Sequence, residues 1–274
     1  MKKPIIVTMT SIPTRFANLP AKAESLLNQT VAPDAIQIYL PKKYRRFPDA
    51  PVDLPKLPPK VEIIRVDEDL GPATKVLYAA KAYRDQNVDL LLCDDDRNQD
   101  RRWVERFATA RYERPDDLIC EEGWNIEDRL GLRRNFSEQP RAVRNPKRGK
   151  NFRYSLARVL TLGFRAIHRK VYDHSGYVDV FEGYLGALVP SAAFHHDAWE
   201  MPEIVWTVDD VWLSGMAAAN GVKVWLNAAS RPYLRDSKFG AVDALKNYST
   251  QGVGRLEADR YCAELLREKY RIWS

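Results

Sequence analysis

Long apolar runs are missing from this 274-residue sequence. None approaches the ~20 residues that an α-helix needs to cross a bilayer. The opening stretch MKKPIIVTMTSIPTRF has two lysines and then a short apolar run that Thr and Ser interrupt, with no small-residue cleavage site after it. This pattern is a first β-strand rather than a secretory leader, and it predicts a cytoplasmic protein. Cysteine is scarce. Cys93, Cys120 and Cys262 are odd in number and lack metal-type spacing, so reduced, mostly buried thiols are expected. Glycine signatures of nucleotide cradles are absent too. There is no G-x-x-x-x-G-K-[ST] and no G-x-G-x-x-G after the first strand, and the late GVGR at 252–255 has no strand before it. No internal repeat or low-complexity tract is found.

The composition is that of an ordinary globular chain, 45% hydrophobic and 29% charged, and long enough for a substantial core. A net charge of +6 points to an anionic partner without naming it. The pattern predicts strands over Pro4–Ser11, AIQIYLP, Lys60–Asp67 and VDLLLCD. Between them it predicts a helix over 18–29, capped by Asn18, and an Ala-rich helix in Gly71–Gln86. A connector from Pro48 to Pro59 is too rich in proline for either element. The order β-α-β-loop-β-α-β marks an α/β fold with a largely parallel sheet. Further on, RRWVERFATARY, VDDVWLSGMAAANG and LEADRYCAELLREKYRIW read as helices, and DLICEEG, TLGFRAIHRK and VKVWL as strands. Between Arg129 and Arg158 there are ten Lys/Arg against one acid, Glu138, with little periodicity. A solvated loop is the first reading of that segment; an anionic acceptor or an anionic membrane surface is the other.

The strand VDLLLC runs into Asp94, Asp95 and Asp96. Ligands of open α/β sheets gather outside the carboxyl ends of the strands. If strand alternation continues, Asp94 and Asp96 share a side. Two carboxylates there suit Mg²⁺ or Mn²⁺, which takes one or two protein carboxylates and fills the rest of its shell with water and phosphate oxygens. The competing reading is a solvated acidic loop balanced by Arg97, Arg101 and Arg102. The first strand ends in TSIPTRF, whose hydroxyls (Thr8, Thr10, Ser11), backbone N–H groups and Arg15 suit a base, ribose or phosphate. A plain surface arginine is the alternative for Arg15.

A second acidic pair, Asp209–Asp210, stands at a helix start among Val205, Trp206, Val208, Val211 and Trp212. Acids at a helix N-terminus are favoured by its dipole, so Asp209 as a simple cap is one reading. A carboxylate desolvated by aromatics has a raised pKa and suits a general base, which is the other. Before the pair, Gly183 and Gly186 are flanked by Phe, Tyr and Trp, a setting in which backbone can approach a sugar closely. His195 and His196 lack a third ligand at zinc spacing and read as partner-bonded structural residues. The basic stretch lacks a groove-reading motif, so nucleic acid is not expected as a partner.

Four segments together resemble bacterial GT-A-fold glycosyltransferases of the family-2-like kind that build cell-surface polysaccharide and lipopolysaccharide. They are VTMTSIPTRFANLPAKAESLLNQTVAPDAIQIYLP, GPATKVLYAAK, LLLCDDD and FEGYLGALVP…TVDDVWLSGMAAANGVKVW. The resemblance implies a single GT-A domain over 1–274, with a nucleotide-binding half (1–125), an acceptor-binding half (126–235) and a helical tail (236–274). It implies that Thr8, Ser11, Arg15, Gly71, Pro72 and Lys75 surround the nucleotide. It assigns Asp94 and Asp95 to the ribose or the metal shell and Asp96 to the metal itself. Gly183, Tyr184, Gly186 and Trp206 would form the acceptor pocket. Asp210 would be the base and Asp209 its partner. No His follows Asp210 to complete a metal site, and Asp236 is the residue left for that place. The implied reaction is inverting transfer of a sugar from a nucleotide diphosphate donor to a glycan or glycolipid acceptor, with Mn²⁺ or Mg²⁺; the second reading of the basic segment adds a peripheral contact with the inner face of the membrane. A sugar nucleotidyltransferase and a silent nucleotide-sugar-binding protein are the alternatives.

Overall fold

Runs of Val, Ile and Leu without polar alternation are strands buried on both faces, and they lie at the centre of the sheet. The computed structural model describes residues 3–135, 137–147, 150, 152–162, 167–232, 243, 245, 248 and 252–274. Asp236 lies outside them. The first elements are β1 (Ile5–Met9), α1 (Leu19–Leu27), β2 (Ala35–Pro41), β3 (Val61–Val66), α2 (Thr74–Tyr83) and β4 (Asp89–Leu92). Then come α3 (Trp103–Glu113), β5 (Leu118–Cys120), β6 (Gly123–Trp124), α4 (Ile126–Leu130), β7 (Val143–Arg144) and α5 (Phe152–Leu160). Four short strands follow, β8 (His168–Lys170), β9 (Tyr172–His174), β10 (Gly176–Val178) and β11 (Val180–Phe181). The last are β12 (Ala187–Pro190), α6 (Asp209–Ala219), β13 (Val224–Leu226), β14 (Ser230–Pro232) and α7 (Arg255–Tyr270).

Eight strands form one sheet in the order β10-β13-β5-β12-β4-β1-β2-β3. β3, β2, β1 and β4 run parallel, as do β5 and β13. β12 enters antiparallel between β4 and β5, and β10 closes one edge antiparallel to β13. The fold is therefore α/β with a mostly parallel central sheet. Strands from both sides of residue 125 interleave in it.

Strand alternation divides the apolar residues between two cores. Ile5, Val7, Met9 and Leu91 face one, with Leu19 and Leu26 of α1 and Trp103 and Phe107 of α3. Ile6, Leu90 and Leu92 face the other, with Val76 and Leu77 of α2, Val211 and Leu213 of α6 and Leu266 of α7. Each fully buried Leu or Ile contributes roughly 1.5–3 kcal/mol, so the sheet's interior, rather than its rim, carries the stability.

Four local expectations change. The segment read as a solvated loop contains the helix α5. The strand expected over TLGFRAIHRK is only His168–Lys170 within the described residues. Asn18 does not cap α1 with its side chain; its amide donates instead to the Asp95 carbonyl at 2.8 Å. Asp209 is the first residue of α6 rather than its cap, which is Val208. No helix among the described residues is long and apolar enough to cross a membrane.

Candidate active site

The chain passes from β1 to β2 and β3 on one side and returns to β4 on the other. Such a reversal opens a crevice at the carboxyl ends of the strands. The segments that leave β1 and β4 there are Thr10–Ser11 and Asp94–Asp96. Because β4 ends at Leu92 and the chain turns at Asp95–Asp96, strand alternation no longer governs the aspartates. Asp94 turns to Lys75, while Asp95 and Asp96 share Arg15.

Asp94 Oδ1 accepts from Lys75 Nζ at 2.6 Å. Lys75 is buried in α2, where desolvation alone would lower its pKa, but Asp94, Asp209 and Asp210 hold it well above the ordinary lysine range. Burial opposes ionisation of Asp94 too, and Lys75 outweighs it, leaving that carboxyl below its usual value. Asp95 is buried and accepts from the Ser11 hydroxyl and from Arg15 Nη1 at 3.0 Å. Burial nonetheless pushes its carboxyl up. Asp96 shares Arg15 Nη1 at 3.1 Å and lies 4.0 Å from Arg97 Nε. Burial, then Asp94 and Asp95, push it up to about 6 against the pull of Arg15 and Arg97. Lys22 of α1 donates to the Arg97 carbonyl and to Gln99 Oε1 and so ties down the loop beyond the trio.

A second wall comes from the turn that opens α2. Asp69 Oδ1 accepts from the Gly71 N–H at 2.8 Å, and the Asp69 carbonyl accepts from the Trp206 indole at 3.1 Å. Gly71 has φ +61, and a Cβ there would lie 2.8 Å from the Trp206 ring, so the turn admits only glycine. Pro72 follows in the same turn.

The third wall is the start of α6. Asp210 Oδ1 accepts from the Gly183 N–H at 3.1 Å. Burial and the neighbouring Asp209 hold the Asp210 carboxyl well above the usual range, and burial raises Asp209 as well. Among the described residues no Lys, Arg or His nitrogen lies within 4.0 Å of either carboxylate.

These walls enclose a cavity of about 480 Å³. Ser11, Arg15, Gly71, Pro72, Lys75 and all three rim aspartates line it, and so do Gly183, Tyr184, Trp206, Asp209 and Asp210. Tyr184 lies under the Arg97 guanidinium, 4.8 Å from ring centroid to Cζ. No family model matches the sequence. No curated protein matches it either. The likeness to glycosyltransferases thus stands on the motifs alone.

Two expected residues fall elsewhere. Thr8 is wholly buried within β1, and its hydroxyl has no hydrogen-bond partner among the described residues. β1 continues past it to Met9, so the lining begins at Thr10. Gly186 does not line the cavity: its φ is +110, and a Cβ there would lie 2.7 Å from Trp103 Nε1. It is a packing glycine that admits the Trp103 ring. Sequence reasoning missed Tyr44, Arg46, Phe47, Glu182 and Arg255, all in the lining. One signal was present. Arg255 is the first residue of α7, where the helix dipole disfavours a cation, so something other than helix stability places it there.

The donor set bears on whether a divalent cation fits. Asp95 has both oxygens engaged, Lys75 holds one oxygen of Asp94, and Arg15 one of Asp96. One oxygen each of Asp94 and Asp96 remains without a hydrogen-bond partner among the described residues. Two hard oxygens, one on each of two rim carboxylates, suit Mg²⁺ or Mn²⁺ completed by water and phosphate; Asp96, one of the two, is raised first by burial and then by the charges of Asp94 and Asp95. Among the described residues, three ligand-type side chains with donor atoms within 4.8 Å occur at His195, His196 and Asp197, outside the cavity lining. Asp197 there lies 2.9 Å from His196 Nε2 and 3.0 Å from Lys269 Nζ, and accepts from Tyr270. The missing third neighbour of the histidines is thus the next residue in sequence, and the cluster ties its turn to α7.

Proposed function

We propose that this chain is a metal-dependent, inverting glycosyltransferase with a GT-A type fold. It moves a sugar from a nucleotide diphosphate donor to a hydroxyl of a glycan or glycolipid acceptor. The observation that carries this reading is one cavity lined by two kinds of acid: a cation-matched trio beside Arg15 and Lys75, and an unmatched pair at Asp209–Asp210. The first kind suits a diphosphate and its counterion; the second suits a proton acceptor.

Asp96 and Asp94 would hold the cation, which when bound offsets negative charge on the departing diphosphate. Arg15 and Lys75 fix those carboxylates. The acceptor oxygen attacks the anomeric carbon while the bond from that carbon to the phosphate oxygen breaks, its electron pair leaving with the diphosphate. Asp210 takes the hydroxyl proton, by analogy with the carboxylate base of inverting glycosidases. Its raised pKa brings it nearer neutrality than an ordinary carboxylate, as a base requires. The Gly183 N–H fixes the carboxylate's direction.

A thermal-shift screen of nucleoside diphosphates and nucleotide sugars, with and without Mn²⁺, tests the reading. One nucleotide should raise the melting temperature by several degrees only when Mn²⁺ is present, and Asp96→Asn should remove that response. If no nucleotide shifts the melting temperature at millimolar concentration under either condition, the reading is wrong.

A further inference from the structure

From Gln139 to Tyr172 the sequence holds ten Lys/Arg and not one Asp or Glu. α5 lies inside this stretch, and its apolar side faces outward. Phe152 is 79% exposed, Leu156 46%, Val159 69% and Leu160 75%; Leu162, just past the helix, is 80% exposed. At 3.6 residues per turn, positions 152, 156, 159 and 160 fall within a sector of about 100°, a single stripe. Tyr154, on the opposite side, is buried. It anchors the helix to the body and leaves the stripe to the solvent. Other exposed apolar side chains, such as Leu54, Tyr112 and Leu256, lie far apart in sequence, and single ones need no explanation. Lys147 and Lys150, just before the helix, and Lys170, in β8 after it, are exposed.

An apolar stripe set among cations, with no acid nearby in sequence, requires a partner that is oily beneath and anionic above. A polynucleotide would satisfy the cations but leave Phe152, Val159 and Leu160 in water. A protein groove would cover the stripe but would have to supply acids all around it. The headgroup boundary of an anionic bilayer offers both together. We propose that α5 is an interfacial anchor that docks this protein on an anionic phospholipid surface. Its stripe sits below the headgroups, and Lys147, Lys150 and Lys170 meet the lipid phosphates.

The anchor is rooted next to the cavity. Arg144 of β7, just before it, pairs with Glu122 at 2.7 Å. Arg231, on the strand that pairs with β8 just after it, meets the same carboxylate at 3.0 Å. The Glu122 carbonyl accepts at 2.9 Å from the backbone N–H of Glu182, which lines the cavity. Docking through α5 would hold the cavity near the bilayer, where a lipid-linked acceptor resides. This corollary rests on the sugar-transfer reading, but the docking itself does not.

Vesicle flotation with the whole chain tests the docking without donor, acceptor or metal, so its failure and the failure of the chemistry are separable. The protein should float with vesicles containing phosphatidylglycerol and stay behind with pure phosphatidylcholine. Raising salt from about 0.1 M to about 0.5 M should lower the bound fraction by roughly tenfold. A Val159→Glu/Leu160→Glu double variant should lose binding by at least roughly tenfold while keeping its melting temperature, because both side chains are exposed. No binding to the anionic vesicles, equal binding to neutral ones, or full binding by the double variant would each overturn the proposal. So would self-association that the same double variant abolishes, since it would assign the stripe to a second copy of the chain.

Discussion

Two acidic regions face the same cavity, and the protein handles them in opposite ways. At the sheet rim, Lys75 stands against Asp94, and Arg15 bridges Asp95 and Asp96. At the start of α6, Asp209 and Asp210 are met by no cation within 4.0 Å among the described residues, and the Gly183 N–H is the group that holds Asp210. Asp94 is kept ionised and Asp210 is biased toward its proton. Aspartates are alike on paper; the environment keeps one ionised and biases another toward its proton.

The largest expected effect tests the unmatched pair. Asp210→Asn removes the proton acceptor and should lower transfer by at least about 100-fold, with nucleotide binding retained. In the unmutated chain, transfer should fall as pH drops through a value above the ordinary carboxylate pKa of about 3.9, since the protonated acid accepts nothing. Near-normal turnover in the variant would remove Asp210 from the chemistry.

The next tests the matched trio. Lys75→Met leaves the Asp94 carboxylate without its cation. Stranding a fully buried charge costs about 3–5 kcal/mol, but 31% of the Asp94 side chain is exposed to the cavity, so about 2 kcal/mol is expected in urea unfolding. An unchanged midpoint would mean that the pair contributes nothing.

Asp96 lies between the two cases, and its sign is opposite to that of a stabilising carboxylate. With a folded pKa of about 6 and an unfolded value near 3.9, the native state binds its proton more tightly, so stability falls as pH rises between those values. The ionised form therefore destabilises the fold above about pH 6. Asp96→Asn should stabilise the protein at pH 7.5 by about 1–2 kcal/mol and by almost nothing at pH 4. Arg15 keeps Asp95 in that variant. Destabilisation at pH 7.5 would show that the arginines outweigh the crowding.

The smallest effect sharpens the geometry of the base. A Cβ at Gly183 would lie 3.3 Å from Asp210 Oδ1, so Gly183→Ala should shift that carboxylate by a few tenths of an ångström. About a fivefold loss in turnover is expected, with little change in the melting temperature.

Much of this was legible beforehand. The buried runs at β1 and β4 announced themselves by composition, and the DDD, GPATK and VDD motifs marked three walls of the cavity. What misled was extending local rules past their range. Strand alternation was carried into a turn, where it no longer applies, and Asn18 looked like a cap although its amide serves Asp95. Gly186 looked like Gly183 because sequence does not say that Trp103 packs on one and Asp210 is held by the other. In α5, Phe152, Leu156, Val159 and Leu160 have the spacing of an amphipathic helix, and what sequence does not say is that this stripe faces outward.

The sequence by itself determined the parallel strands β1 to β4 and the helices between them, because apolar runs and periodicity are local properties; the antiparallel strands β10 and β12, and the division into two cores, came only with the fold. It also determined which acids, cations and glycines would be available. Only the tertiary structure decided which cation meets which acid, since Lys75 and Asp94, or Gly183 and Asp210, are brought together by packing across the fold. Charge is a property of that meeting: the energy of an ionised group depends on the water removed from it and on the partner supplied, and neither is written at its own position.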